Sequence, residues 1–205
     1  MIKRAIFVAL GLAVSWSLAA TIVYHPQQAQ VALAAKVRAL DALTPEGALL
    51  FVQARNFSSL LKSWNDSPEK TAWLQSDSHS SFSQSRLFLR LDRFFTRFGA
   101  AAGAPADTDF VTAVAGDESA LALYDIGKVE FVYITHLPSH EFLNLELWQS
   151  RNKLQSRFAG NVTYFLGTDD EAKHVVAFAI AGDYLVLTTR EDLMVRTLQL
   201  LDNQP

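Results

Sequence analysis

Twenty consecutive uncharged residues near the N-terminus constrain this chain more than any other feature. The run Ala5–Tyr24 follows directly on Lys3 and Arg4. Inside a bilayer every backbone N–H and C=O must be paired within the segment, so such a run becomes a helix. At a rise of about 1.5 Å per residue, twenty residues span about 30 Å, the thickness of the hydrocarbon core. We therefore expect a transmembrane helix over Ala5–Tyr24.

The charges that flank this run predict its orientation. Lys3 and Arg4 are expected to stay in the cytoplasm, which places the remainder beyond the inner (cytoplasmic) membrane as a single-pass, periplasmic domain. A cleaved signal peptide is the alternative, since Ser17-Leu18-Ala19 resembles a cleavage site. That site lies within the apolar run, whereas the apolar stretch of a signal peptide usually spans about 7–15 residues. Both interpretations predict export.

The predicted anchor divides the chain into three parts. Residues 1–24 form the cytoplasmic tip and anchor, residues 25–44 a stalk or linker rich in Ala and Gln, and residues 45–205 an extracytoplasmic domain. Two stretches, Gly47–Leu61 and Gly182–Leu198, share a pattern of glycine, apolar strand, polar corner and apolar helix. This is either a common strand-to-helix unit or the start of a second module, so the chain could be the first part of a longer protein.

Composition narrows the class of protein. The chain is 50% hydrophobic and 19% charged, as globular domains are. It has no cysteine, which excludes disulfides, thiol nucleophiles and cysteine-ligated metals. All 21 acidic residues lie beyond residue 40, so the exported part is more acidic than the net charge of −3. This argues against a general nucleic-acid binder, which needs a strong basic surface.

The apolar periodicity predicts an α+β domain. Strands are expected where short apolar runs are bounded by turn residues, and helices where apolar residues recur at helical spacing. The predicted strands are Ala48–Ala54, Ala120–Tyr124, Val129–Thr135, Val162–Leu166, His174–Ile180 and Tyr184–Thr188. Strands in runs with helices between them favour a mostly antiparallel sheet with helices packed on one face.

Phe82–Phe98 is the clearest helix in the sequence. Its apolar side chains occupy one arc of a helical wheel, and four arginines occupy an adjacent arc. The arginines are Arg86, Arg90, Arg93 and Arg97. Four guanidinium groups beside an aromatic seam predict contact with anionic lipid headgroups or with an acidic partner. The simpler interpretation is a solvated face whose arginine stems cover the seam. Gly99–Pro105 is expected to end the helix in a flexible loop.

Three segments resemble a group of bacterial envelope proteins whose domain is of unknown function. The first runs from Leu43-Thr44-Pro45-Glu46-Gly47 through Asn56-Phe57, Trp64 and Ser67-Pro68; the second is Gly116–Asp125 and the third Phe178–Leu187. The resemblance covers most of residues 43–200. It implies a membrane-anchored envelope protein and supplies no catalytic residues. Members of that group are often longer than this chain.

Other candidate sites are weaker. His136 and His140 are four apart beside Glu141, but Pro138 lies between them, which argues against one helix presenting both to a metal. Asp169-Asp170-Glu171 lacks the glycine-punctuated oxygen ladder of a calcium loop. No phosphate-binding loop or hydrolase nucleophile pattern occurs. We expect no cofactor, no metal and no enzymatic activity.

Two functions follow as expectations. The first is a membrane-anchored extracytoplasmic domain that binds, scaffolds or regulates a partner in the cell envelope. The second is a carrier or sensor of an apolar ligand such as a lipid, held between the sheet and the aromatic helix Phe82–Phe98. A hollow under that sheet would favour the carrier, and a close-packed sheet with an exposed apolar patch would favour partner binding.

Overall fold

A computed structural model describes residues 39–137, 142–169 and 175–202. The predicted anchor Ala5–Tyr24 and most of the stalk lie outside the described residues. Within those ranges, no helix has both the length and the apolar character that crossing a bilayer requires.

Seven antiparallel strands form one sheet in the order β1-β2-β3-β7-β6-β5-β4. The strands are β1 (Leu50–Arg55), β2 (Glu118–Asp125), β3 (Glu130–His136), β4 (Gln155–Ala159), β5 (Val162–Thr168), β6 (Val175–Ala181) and β7 (Tyr184–Thr188). The predicted α+β class and the antiparallel sheet are confirmed. The predictions omitted β4, because its burial pattern is almost wholly exposed and its sequence lacks an apolar run.

Seven α-helices are described. They are α1 (Phe57–Asn65), α2 (Pro68–Gln75), α3 (Asp77–Ser83), α4 (Arg86–Ala102), α5 (Thr108–Val114), α6 (Glu146–Ser150) and α7 (Glu191–Asp202). Short 3-10 turns span Leu40–Leu43, Phe142–Asn144 and Arg151–Lys153. The sequence predicts a helix that opens at Pro138-Ser139 and carries Phe142, Leu145, Trp148 and Leu154. Pro138 and Ser139 lie outside the described ranges, Phe142 lies in a 3-10 turn and Trp148 lies in α6.

The sheet carries helices on both faces, so the expectation of one covered face is wrong. Alternate residues of the central strands enter two separate cores: Val132 and Ile134 join α7 and the Leu40–Leu43 turn, whereas Phe131 and Tyr133 join α4 and α5. The central strands β6 and β7 are apolar on nearly every residue, which is typical of strands buried on both sides. This continuous apolar pattern was the signal in the sequence that helices cover both faces of the sheet.

Serine caps explain where the small helices begin. The Ser67 side chain accepts a hydrogen bond from the Lys70 N–H at 3.1 Å, and Pro68 occupies the first helical position. Ser76 caps α3 in the same way by accepting from the His79 N–H, although the segment Ser76–Ser83 is rich in serine. Serine has a modest helix propensity, so tertiary contacts decide this segment: the ring of Phe82 packs against Phe88 of α4 at 5.6 Å.

Candidate functional site

One end of the sheet brings together the elements that form the candidate site. β3 begins there at Glu130, β7 ends there at Thr188 and β6 begins there at Val175, as the pairings Val132↔Thr188 and Ala177↔Thr188 require. Helix α4 packs over this end, with Phe94 and Phe98 on the ring of Phe131 at 5.9 and 6.4 Å. The aromatic seam of α4 therefore sets where its polar face lies.

A cleft of about 780 Å³ opens between α4, the β2–β3 turn and the start of α7. Its described lining contains six cationic side chains and two carboxylates, together with aliphatic and aromatic groups. The cations are Arg86, Arg90, Arg93, Arg97, Lys128 and Arg190, and the carboxylates are Glu130 and Glu191. The excess of positive charge contrasts with the negative net charge of the chain.

All four arginines predicted from the helical wheel lie in this lining, and all four are exposed. Ser85 caps the helix by accepting from the Phe88 N–H at 3.1 Å, so the regular spacing begins at Arg86 itself. Among the described residues, no ion pair joins Arg86, Arg90 or Arg93 to an acidic side chain. Arg97 differs from these three, because it has an interaction partner of its own.

The two carboxylates of the cleft are already engaged. Glu130 accepts from Arg190 at 3.0 Å, and the Lys128 ammonium lies 3.8 Å away. Glu191 accepts from Tyr164 at 2.7 Å and from Arg157 at 2.5 Å. These bonds, first from Tyr164 and then from Arg157, hold the pKa of Glu191 below its ordinary value. Neither acid is therefore placed to neutralise the arginines of α4.

The β2–β3 turn is held in a strained conformation beside the cleft. Val129 has φ 57°, a left-handed backbone that a β-branched residue rarely adopts. The Thr189 hydroxyl donates to the Val129 carbonyl at 3.2 Å and accepts from the Phe131 N–H at 3.0 Å. These two hydrogen bonds hold the backbone of the turn next to Lys128, whose ammonium lies 3.8 Å from Glu130. Backbone strain of this kind concentrates at functional sites.

Sequence reasoning did not include Lys128 and Arg190 in the site. Lys128 lies between the predicted strands Ala120–Tyr124 and Val129–Thr135, and Arg190 lies just after the predicted strand Tyr184–Thr188; each position is ordinary in local sequence. Only the order of the strands places both beside α4, because residues of β3 pair with residues of β7 that lie 48 to 56 positions later. No local signal could have identified them.

The weaker candidates gain no support. His136 packs edge-on against Tyr184 at 5.6 Å, while His140 and Glu141 lie outside the described residues. Asp170 and Glu171 also lie outside them. In the part of the chain that the structure describes, no group of three or more His, Cys, Asp or Glu side chains could hold a metal ion.

Aromatic rings occupy the interface between α4 and the sheet, where a carrier would need a hollow. Phe98 contacts Phe110 at 5.8 Å, and Phe178, at 0% exposure, stacks on Phe165 at 5.2 Å. Packing of this kind favours a surface site over a ligand enclosed beneath the helix. The open, basic cleft is therefore the better candidate.

Comparisons with protein families, curated proteins and solved structures find no match for this chain. The resemblance to bacterial envelope proteins stays a prediction. Function must therefore be argued from the site itself.

Proposed function

We propose that this protein is a membrane-anchored, extracytoplasmic binding domain, without catalytic activity, whose basic cleft binds an anionic partner of the cell envelope. The observation that carries this proposal is the row of Arg86, Arg90 and Arg93, exposed on one wall of a cleft and without an acidic side chain to pair with among the described residues. The carrier function has no comparable observation in its favour.

The geometry suits recognition of several anionic groups at once. The three arginines occupy successive turns of one helix, so their guanidinium groups follow one another along the cleft wall. Guanidinium groups bind carboxylates and phosphates through paired, charge-assisted hydrogen bonds. Because a cleft whose lining carries an excess of positive charge concentrates its field, it attracts anions even when the whole protein is negative.

Replacing the three arginines should abolish most of this binding. We expect the variant Arg86→Gln, Arg90→Gln, Arg93→Gln to bind fluorescein-labelled deca-glutamate and polyphosphate at least tenfold more weakly than the unmodified chain, as about 1 kcal/mol per lost charge would allow. Fluorescence anisotropy on the full chain in non-ionic detergent measures this. Arg97 is retained because it already has an interaction partner.

A matched variant distinguishes the effect of losing the cleft arginines from the effect of losing net positive charge. Arg55→Gln, Lys62→Gln, Lys153→Gln removes the same charge from exposed positions outside the cleft, and it should bind within about twofold of the unmodified chain. Binding by the unmodified chain should also weaken as salt is raised, since the screening length falls from about 10 Å at 0.1 M to about 3 Å at 1 M. Equal losses in both variants would refute a specific cleft.

The anchor is tested separately. We expect the full chain to stay in the membrane after an alkaline carbonate wash, and protease added outside the inner membrane to digest the domain, because Ala5–Tyr24 is long enough to span the bilayer. The intact mass should include these residues. A mature chain that starts near Ala20 would show cleavage and disprove the anchor.

A further inference from the structure

Exposed aliphatic side chains border the cationic wall of the cleft. Leu89 lies in the cleft lining at 45% exposure, and Leu87, at 51%, lies one turn before Arg90. Across the cleft, Ile126 is 58% exposed at the tip of the turn that carries Lys128. An acidic soluble ligand makes little use of such groups. Cationic side chains beside exposed aliphatics are the pattern of surfaces that enter the boundary between lipid headgroups and acyl chains.

The chain also enters the domain at this end of the sheet. The Tyr124 hydroxyl donates to the Pro45 carbonyl at 2.5 Å, and the Leu49 N–H donates to Leu123 at 2.7 Å. Both contacts lie at the end of β2, which continues directly into the turn that presents Ile126 and Lys128. Residues 45–49 and the mouth of the cleft therefore share one end of the domain.

The link from the predicted anchor is short. Residues 25–39, even if fully extended, reach no farther than about 50 Å from the membrane surface. A tether of this length makes docking on the same membrane an intramolecular step, which raises the effective concentration of headgroups at the cleft. Weak contacts from a few arginines are then sufficient for docking on that membrane.

We propose that the basic cleft docks on the anionic phospholipid headgroups of the membrane in which the chain is anchored. Arg86, Arg90 and Arg93 bind headgroup phosphates, while Leu89 and Ile126 enter the boundary with the acyl chains. This inference rests on the proposed function of the cleft and names its ligand. It also gives the domain a fixed orientation, with the cleft end towards the bilayer.

The absence of native cysteine permits a direct test. Ile126→Cys, carrying a nitroxide label, is prepared in the full chain and incorporated into nanodiscs of phosphatidylcholine, with or without phosphatidylglycerol. A second label at Phe158→Cys is the matched control, because Phe158 is 72% exposed on the edge strand β4 and does not line the cleft. Relaxation by a water-soluble nickel chelate and by oxygen measures the depth of each label.

We expect phosphatidylglycerol to reduce nickel access to the label at 126 several-fold and to raise oxygen access, with no change at 158. The triple arginine variant should return the label at 126 to its value in neutral lipid. Equal nickel access at 126 in both lipids overturns the inference. If the unmodified chain nevertheless binds deca-glutamate and the triple arginine variant does not, the cleft serves an acidic protein and the proposed function survives. If the unmodified chain does not bind deca-glutamate either, both proposals fail.

Discussion

Replacing Gly167 by alanine should destabilise the domain by about 3 kcal/mol, near the upper end of what overpacking a core usually costs. Gly167 lies in β5, directly beneath the C-terminal end of α4. A Cβ atom at this position would lie 1.9 Å from the Ala101 carbonyl oxygen and 2.9 Å from its carbon. Both are backbone atoms of a helix, so they cannot move without lifting α4 from the sheet.

The movement of α4 would also reach the cleft, because Phe94 and Phe98 of the same helix set the position of its arginines. Urea unfolding, followed by tryptophan fluorescence, measures the change in free energy of unfolding. Gly127→Ala is the control: its nearest neighbour is the end of the flexible Asp125 side chain at 3.1 Å, and we expect it to cost less than about 1 kcal/mol. A similar cost in both variants would contradict the close approach of α4 to β5.

The second large effect is the dependence of stability on alkaline pH, which arises at Tyr133. Burial raises the pKa of this phenol from 10.0 to about 12. Its hydroxyl donates to the Val114 carbonyl at 2.9 Å and lies 3.1 Å from the Ser119 hydroxyl, and ionisation removes the donor to Val114. Buried donors and acceptors of this kind are costly to leave unpaired.

The direction of this effect follows from the two pKa values. In the unfolded chain the tyrosine ionises near pH 10, whereas in the folded domain it stays neutral up to about pH 12. Its contribution to stability is therefore fully present below pH 10 and is lost as the pH rises from 10 towards 12. A difference of about two pKa units corresponds to about 3 kcal/mol of unfolding free energy.

The variant Tyr133→Phe separates the contribution of this phenol to the unfolding free energy from the contributions of other ionisable groups. At neutral pH the variant should lose about 1–2 kcal/mol, because the Val114 carbonyl keeps no donor from this side chain. Above pH 10 its unfolding free energy should fall less steeply than that of the unmodified chain. Urea unfolding at a series of pH values, with absorbance near 295 nm to follow the phenolate, provides both readings. Parallel pH profiles would refute the assignment.

Much of the local structure could be predicted from the sequence, because local signals carry it. Ser67-Pro68-Glu69 marks the start of α2 through a capping hydroxyl and a preset proline. The wheel of α4 places its arginines on one exposed face, since helical geometry alone determines which residues are neighbours. Composition excluded thiol chemistry outright.

Glycine and alanine show where local signals fail. Gly99–Pro105 was expected to be a flexible loop, and Gly167 lies just beyond the predicted strand Val162–Leu166. Instead α4 continues to Ala102, which is completely buried, and it ends at Gly103 with φ 66°. Small side chains are compatible with a loop and equally with two backbones in close contact. The choice depends on what lies opposite, and for Ala101 that is Gly167, 66 residues away.

By itself the sequence determined the α+β class, the caps and periodicity of the main helices, and the arginine row, because each depends on residues within a few turns of one another. The tertiary structure alone decided that both faces of the sheet are covered and that Lys128 and Arg190 join those arginines around one cleft. Strand order brings them together, and strand order results from the burial of whole surfaces, which no short stretch of chain encodes.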